Sequence, residues 1–163
     1  MAETKRILIL TADAGYGHRS AANALSAALA DRYGSVCEPI IANPMDHRSV
    51  PALLRRQQTD YDRIIQEVPD LYRFGYKTSD AGVPAAIFES VLTVMLYEAV
   101  RATVERFQPD AIVTTFPLYQ APLSALFTVK RRWIPNLTVV TDLVSVHRVW
   151  FNDVADLCLV PTP

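Results

Sequence analysis

Four apolar residues in a row, Ile7-Leu8-Ile9-Leu10, run into a polar turn carrying Gly15 and Gly17, and an alanine-rich segment, Ser20 to Ala30, follows at once. The unbroken apolar run predicts a strand covered on both faces, as in parallel sheets, and the alanines predict a helix. Tyr33-Gly34 then supplies a helix stop. Ser35 to Ala42 reads as a second strand, placed at an edge or kept short because Pro39 cannot donate to a ladder. From Val83-Pro84 a long helix runs through Ile87, Val91, Val94, Met95, Ala99, Ala102 and Phe107, which predicts one broad apolar face with Met95 in the core. Gln108-Pro109-Asp110 breaks it, Ala111 to Phe116 reads as a buried strand, and a helix follows from Gln120 or Pro122 to Lys130. Leu137 to Asp142 and Ala155 to Val160 are the last two strands. Strands alternating with helices over the whole length predict an α/β fold with a doubly wound parallel sheet and ligands at the carboxyl ends of its strands.

Asn43 to Asp80 breaks the alternation, with Pro44, Pro51 and Pro69 around a weakly periodic helical stretch, Val50 to Glu67. Cationic and aromatic side chains gather there, among them Arg55, Arg56, Tyr61, Tyr72, Arg73 and Phe74. Lys130-Arg131-Arg132-Trp133 is a second such cluster. Both suit contact with anionic lipid; for the first a solvated face is the commoner reading, since Asp60, Asp62, Glu67 and Asp70 dilute its charge, and the second equally suits a helix end complementing its own dipole.

Composition narrows the classes. The chain has 163 residues, half of them hydrophobic and 20% charged, and a formal net charge of -1, so one soluble domain is expected, with no nucleic acid as partner. Cys37 and Cys158 stand in no metal-like spacing, no cofactor motif beyond the glycine turn is present, and no apolar signal segment follows Met1. Reduced thiols and a cytoplasmic location are the expectation.

The candidate chemistry sits past the strand ends, at Asp13, His18, Thr114, Thr115, Asp142, His147 and Trp150. A helix start leaves backbone N–H groups open and carries partial positive charge, which favours anions and disfavours an imidazolium. His18 is therefore expected to be neutral and suited to act as a general base beside a phosphorylated or acidic group. The alternative is that the glycines only permit a tight turn and His18 is an ordinary first-turn residue.

Two stretches resemble the monogalactosyldiacylglycerol synthases and the related bacterial diacylglycerol glucosyltransferases: Leu10 to Ala22, with Gly15-Tyr16-Gly17-His18, and Val140 to Phe151, with Asp142, His147 and Trp150. Leu71 to Asp80 and Pro109 to Pro117 resemble them more weakly. The resemblance implies a Rossmann-like acceptor domain over 1–163, the N-terminal half of a two-domain GT-B glycosyltransferase, whose nucleotide-sugar domain is absent from this chain. It implies that His18 is the base taking the proton from diacylglycerol as it attacks a nucleotide sugar with inversion. Gly15, Tyr16, Gly17, Asp142, His147 and Trp150 would be substrate-binding, with Arg55, Arg56, Lys130, Arg131, Arg132 and Trp133 on the membrane.

Two departures accompany the likeness. Many members carry three adjacent glycines where Tyr16 intervenes here, and the chain alone is expected to transfer no sugar. The location implied is peripheral, on the inner face of the cell membrane. A non-catalytic lipid-binding or regulatory module is the alternative. So is a nicotinamide-binding domain, with Ser20 in place of the third glycine and Glu38 as its acidic residue.

Overall fold

A computed structural model of the chain describes residues 3–14, 16–52, 54–55, 82–142, 146 and 148–161. Among them, β1 (Lys5–Leu10), β2 (Cys37–Ala42), β3 (Ala111–Thr114), β4 (Asn136–Val139) and β5 (Leu157–Leu159) form one sheet in the order β2-β1-β3-β4-β5. Every neighbouring pair is parallel. The helices are α1 (Tyr16–Tyr33), α2 (Gly82–Phe107) and α3 (Gln120–Lys130). This is a Rossmann-like α/β fold, as the alternation of elements predicts.

Leu8, Ile9 and Leu10 are all fully buried because β1 is covered on both faces. Leu8, Leu10 and Ile112 share one core with Leu96, Val100, Leu123 and Leu126 of α2 and α3. Ile9 and Val113 point the other way, onto Ala22, Leu25 and Leu29 of α1. Gly34 ends α1 where a side chain would not fit, since a Cβ there would stand 2.4 Å from the Ala30 carbonyl oxygen. Pro39 lies in β2, which is the edge strand expected of it.

The buried side of α2 differs from the expectation. Ala99 and Phe107 pack into the core as expected, but Val91, Val94 and Met95 are 46%, 79% and 38% exposed, whereas Leu96, Val100 and Val104 are buried. Val94 belongs to the row that continues through Glu98, Arg101 and Glu105, three and four residues apart, and Arg101 pairs with both glutamates along it. That row is the solvent face, so the core stripe is rotated by one residue, about 100°.

The chain crosses from β2 back past β1 to reach β3, so strand order reverses between β1 and β3. In an open parallel sheet that reversal leaves a crevice at the carboxyl ends of the two strands. Register makes the ends level, because Leu10 is paired with both Ala42 and Thr114. The residues that follow therefore leave the sheet side by side. At the far side, β5 is an edge strand with Leu157 and Leu159 49% and 45% exposed. Cys37 is buried, Cys158 is exposed, and both are free thiols.

Candidate functional site

The turn after β1 is closed by its own charges. Arg19 donates from Nε to Asp13 Oδ1 at 2.7 Å and from a terminal nitrogen to Oδ2 at 2.9 Å, a two-point bond across the glycine turn. Arg19 holds the Asp13 carboxyl below its ordinary range. Under this turn Tyr119 is fully buried, its hydroxyl within 3.1 Å of both the Thr11 carbonyl and Asn43 Oδ1, while the Met45 N–H donates to it at 3.3 Å. Asn43 also caps the short 3-10 turn Pro44–Asp46 by accepting from the Met45 N–H. These ties fix where α1 begins.

His18, on the first turn of α1, reaches across the crevice to the end of β3. Its Nδ1 lies 2.8 Å from the Thr115 carbonyl oxygen, and the Thr115 hydroxyl donates back to the His18 carbonyl at 3.0 Å. A carbonyl can only accept, so Nδ1 carries the hydrogen and Nε2 is the lone-pair nitrogen of the neutral ring. Thr141 Oγ1 is 2.7 Å from the same Nδ1. The Phe116 ring stands edge-on to the imidazole at 5.1 Å, and the Trp150 ring is tilted against it at 6.0 Å. Burial pushes the His18 pKa below its ordinary value, against the opposing pull of the Thr115 carbonyl and Asp142. Neutral imidazole is the form near pH 7. The Trp150 indole N–H donates to Asp142 Oδ2 at 2.7 Å, and Trp150 is 1% exposed.

The structure thus brings together His18, Thr115, Asp142 and Trp150 from the sequence reading. Trp150 lines the site from below the surface rather than presenting itself to solvent. Asp13 closes the turn, and the Thr114 hydroxyl donates to the Phe116 carbonyl. Tyr16 is 83% exposed, and the space over Gly17 is open, with nothing within 4 Å of a Cβ placed there. Gly15, Arg56 and His147, with most of the Val50 to Glu67 stretch and all of Leu71 to Asp80, lie outside the described residues. Thr141 and Phe116 were not among the sequence candidates. Leu137 to Asp142 reads as one strand, but β4 stops at Val139, and that early stop frees Thr141 to turn toward His18.

The two basic groups separate. Arg55 is exposed in the segment that leaves the carboxyl end of β2. Lys130 to Trp133 connect the end of α3 to the start of β4, at the opposite end. There Lys130 pairs with Glu105 at 2.8 Å, and the Trp133 ring packs on Phe127 at 5.1 Å. Glu38 is level with Arg6 in the amino-terminal half of the sheet, whereas a ribose-binding acid belongs at the carboxyl end of its strand, so the nicotinamide reading has no acid where it needs one.

Residues 18–163 match the family model of monogalactosyldiacylglycerol (MGDG) synthase. The chain belongs to the MGDG synthase family. It is 28% identical over 162 residues to the monogalactosyldiacylglycerol synthase of Spinacia oleracea, covering 97% of this chain and 30% of that protein. It is 29% identical over 163 residues to monogalactosyldiacylglycerol synthase 1 of Arabidopsis thaliana, with the same two shares. The chain therefore spans about 30% of the length of these MGDG synthases.

These relatives are named as chloroplastic, and that overturns the expected place on the cytoplasmic face of the cell membrane. The expectation leaned on a missing apolar leader, but plastid-targeting segments are amphipathic and Arg- and Ser-rich, so an apolar leader is not their mark. Among the described residues no helix is long and apolar enough to cross a membrane.

Proposed function

We propose that this chain is the acceptor half of an inverting glycosyltransferase of GT-B architecture, which moves a hexose from a nucleotide sugar to diacylglycerol in galactolipid synthesis. The relatives' name joins galactose to diacylglycerol, which makes the lipid hydroxyl the nucleophile. The observation that carries the reading is the orientation of His18: Nδ1 is committed to the Thr115 carbonyl, which leaves Nε2 as the basic atom at the carboxyl edge of the sheet.

As the lipid oxygen bonds to the anomeric carbon, its proton passes to Nε2. The bond from that carbon to the donor's phosphate oxygen breaks, and the nucleoside diphosphate leaves with the electron pair. One displacement inverts the centre and needs no covalent enzyme intermediate. A partly buried, neutral imidazole suits this, since a base is useful only while unprotonated. The open start of α1, with Gly17 and exposed Tyr16, is where the donor's phosphates would approach.

On this reading the carboxyl end of the sheet faces an anionic membrane, with Arg55 in the segment that leaves β2 there. The polypeptide corresponding to the rest of an MGDG synthase binds the nucleotide sugar, and the chain alone transfers none. The test joins this chain to the portion of the spinach relative beyond the matched region and follows galactolipid formation from nucleotide sugars and diacylglycerol vesicles. Product from the joined protein, none from this chain alone, and loss of product in His18→Gln are expected. Steady product from the chain alone, or an unaffected His18→Gln, would sink the assignment.

A further inference from the structure

We infer that Thr141 and Asp142, which follow Val140 past the end of β4, are the positioning pair for His18. Thr141 takes a share of the Nδ1 hydrogen, and Asp142, tethered by Trp150, sets a negative charge facing the ring, so together they steady the imidazolium that forms during proton transfer. The inference rests on the reading of His18 as the base.

The geometry gives each member a separate task. The Thr115 carbonyl and Thr141 Oγ1 lie 2.8 Å and 2.7 Å from one nitrogen that has one hydrogen to give. With the carbonyl fixing that hydrogen on Nδ1, the Thr141 oxygen is its second acceptor, and its own O–H points elsewhere. Two acceptors on Nδ1–H favour the charged ring over the neutral one. Asp142 adds to this by its charge, and its carboxylate is held at 2.7 Å by the indole N–H of Trp150, whose ring lies 6.0 Å from the imidazole. The bond runs from a fully buried ring, so the carboxylate cannot swing away without moving Trp150.

Among the described residues these two act on the ring beside the Thr115 carbonyl. From β3 and the turn after it come Thr114, Thr115 and Phe116, all uncharged. On α1 itself the neighbouring charge is Arg19, held by Asp13 at two points. Asp142 is the charge that bears on His18 from the β4 side.

The experiment is nitrogen-15 NMR of the histidine-labelled chain, titrated with acid, with the His18 signals identified by their loss in His18→Gln. In the parent chain the neutral ring is expected to show its unprotonated nitrogen at Nε2. Thr141→Val keeps the shape and removes the acceptor, so the His18 titration moves to lower pH, and Thr141→Ser returns it. Asp142→Asn moves it to lower pH as well. Amide spectra and thermal melts establish that each variant is folded, and the conservative pair of Thr141 variants separates a hydroxyl effect from a packing effect. A neutral ring protonated at Nε2, or a titration unmoved by both Thr141→Val and Asp142→Asn, overturns the inference. These readouts require no sugar transfer: a titration unmoved by both variants fails this inference while the base assignment stands, whereas a neutral ring protonated at Nε2 overturns both.

Discussion

His18 and Thr115 are joined by two hydrogen bonds, 2.8 Å from the imidazole to the carbonyl and 3.0 Å from the hydroxyl back to the His18 carbonyl, across 97 residues of sequence. One end of the pair is the first turn of α1 and the other is the end of β3, so the candidate base is anchored to the sheet at the point where strand order reverses. Loops move more readily than sheets. A base held this way has its ring orientation set by the end of a strand.

Removing the base should abolish transfer without unfolding the domain. In the joined protein, His18→Ala is expected to lower kcat by roughly 10²–10⁴-fold, the usual worth of a positioned general base. KM should change far less. The measurement is steady-state kinetics beside a thermal melt, and a fall in KM-dependent terms alone would point to binding rather than proton transfer.

Stability should depend on pH through the same ring. The folded pKa of His18 is pushed below 6.5 by burial, so between that lowered value and 6.5 the unfolded chain holds more protons than the folded one. Folding is then weakened as pH falls through this window, and the contribution is fully present above 6.5. Urea midpoints of the parent chain should rise with pH there at a slope of at most about 1.4 kcal/mol per unit from this group. His18→Gln is expected to have a flatter profile in the same window.

The rotated face of α2 makes a contrast between near neighbours. Leu96 is fully buried and Val94 is 79% exposed. Leu96→Ala should cost about 2–5 kcal/mol by removing packed atoms, and Val94→Ala should stay within about 0.5 kcal/mol of the parent chain. Chemical denaturation decides it, and equal losses would mean that the core stripe runs elsewhere.

Arg131 ends α3 in a left-handed conformation, φ 49°, where its N–H closes back on the last turn. A side chain there costs about 1 kcal/mol relative to glycine. Arg131→Gly is therefore expected to stabilise the chain by at most about 0.5 kcal/mol after the larger backbone freedom of glycine in the unfolded state is counted. A loss of stability would show that the guanidinium has a structural partner.

Much of the fold was legible because its signals are local. An apolar run beside a glycine turn and an alanine helix specifies a buried strand and its crossover within about twenty residues, and Pro39 marks an edge by chemistry alone. The face of α2 was not legible in the same way, because valine and methionine stand in the solvent row and only the charges at Glu98, Arg101 and Glu105 betray it. In the site, His18, Asp142 and Trp150 could be found from their places after strands. Their relations could not, since Thr141 meets His18 across 123 residues, and the early end of β4 leaves no mark in a sequence that stays apolar to Val140. The lipid-like character of Lys130 to Trp133 has a local account, with Lys130 on Glu105 and Trp133 on Phe127 at the end of a helix.

β5 bears on how the chain behaves in a test tube. Leu157, Leu159 and Val160 stand 49%, 45% and 53% exposed along an outer strand of the described sheet. A rim of that kind is a template for any extended peptide, and apolar side chains beside it reward the match. Preparations of the chain by itself should cloud with rising concentration sooner than with rising temperature, and a lysine in place of Leu159 should keep them clear.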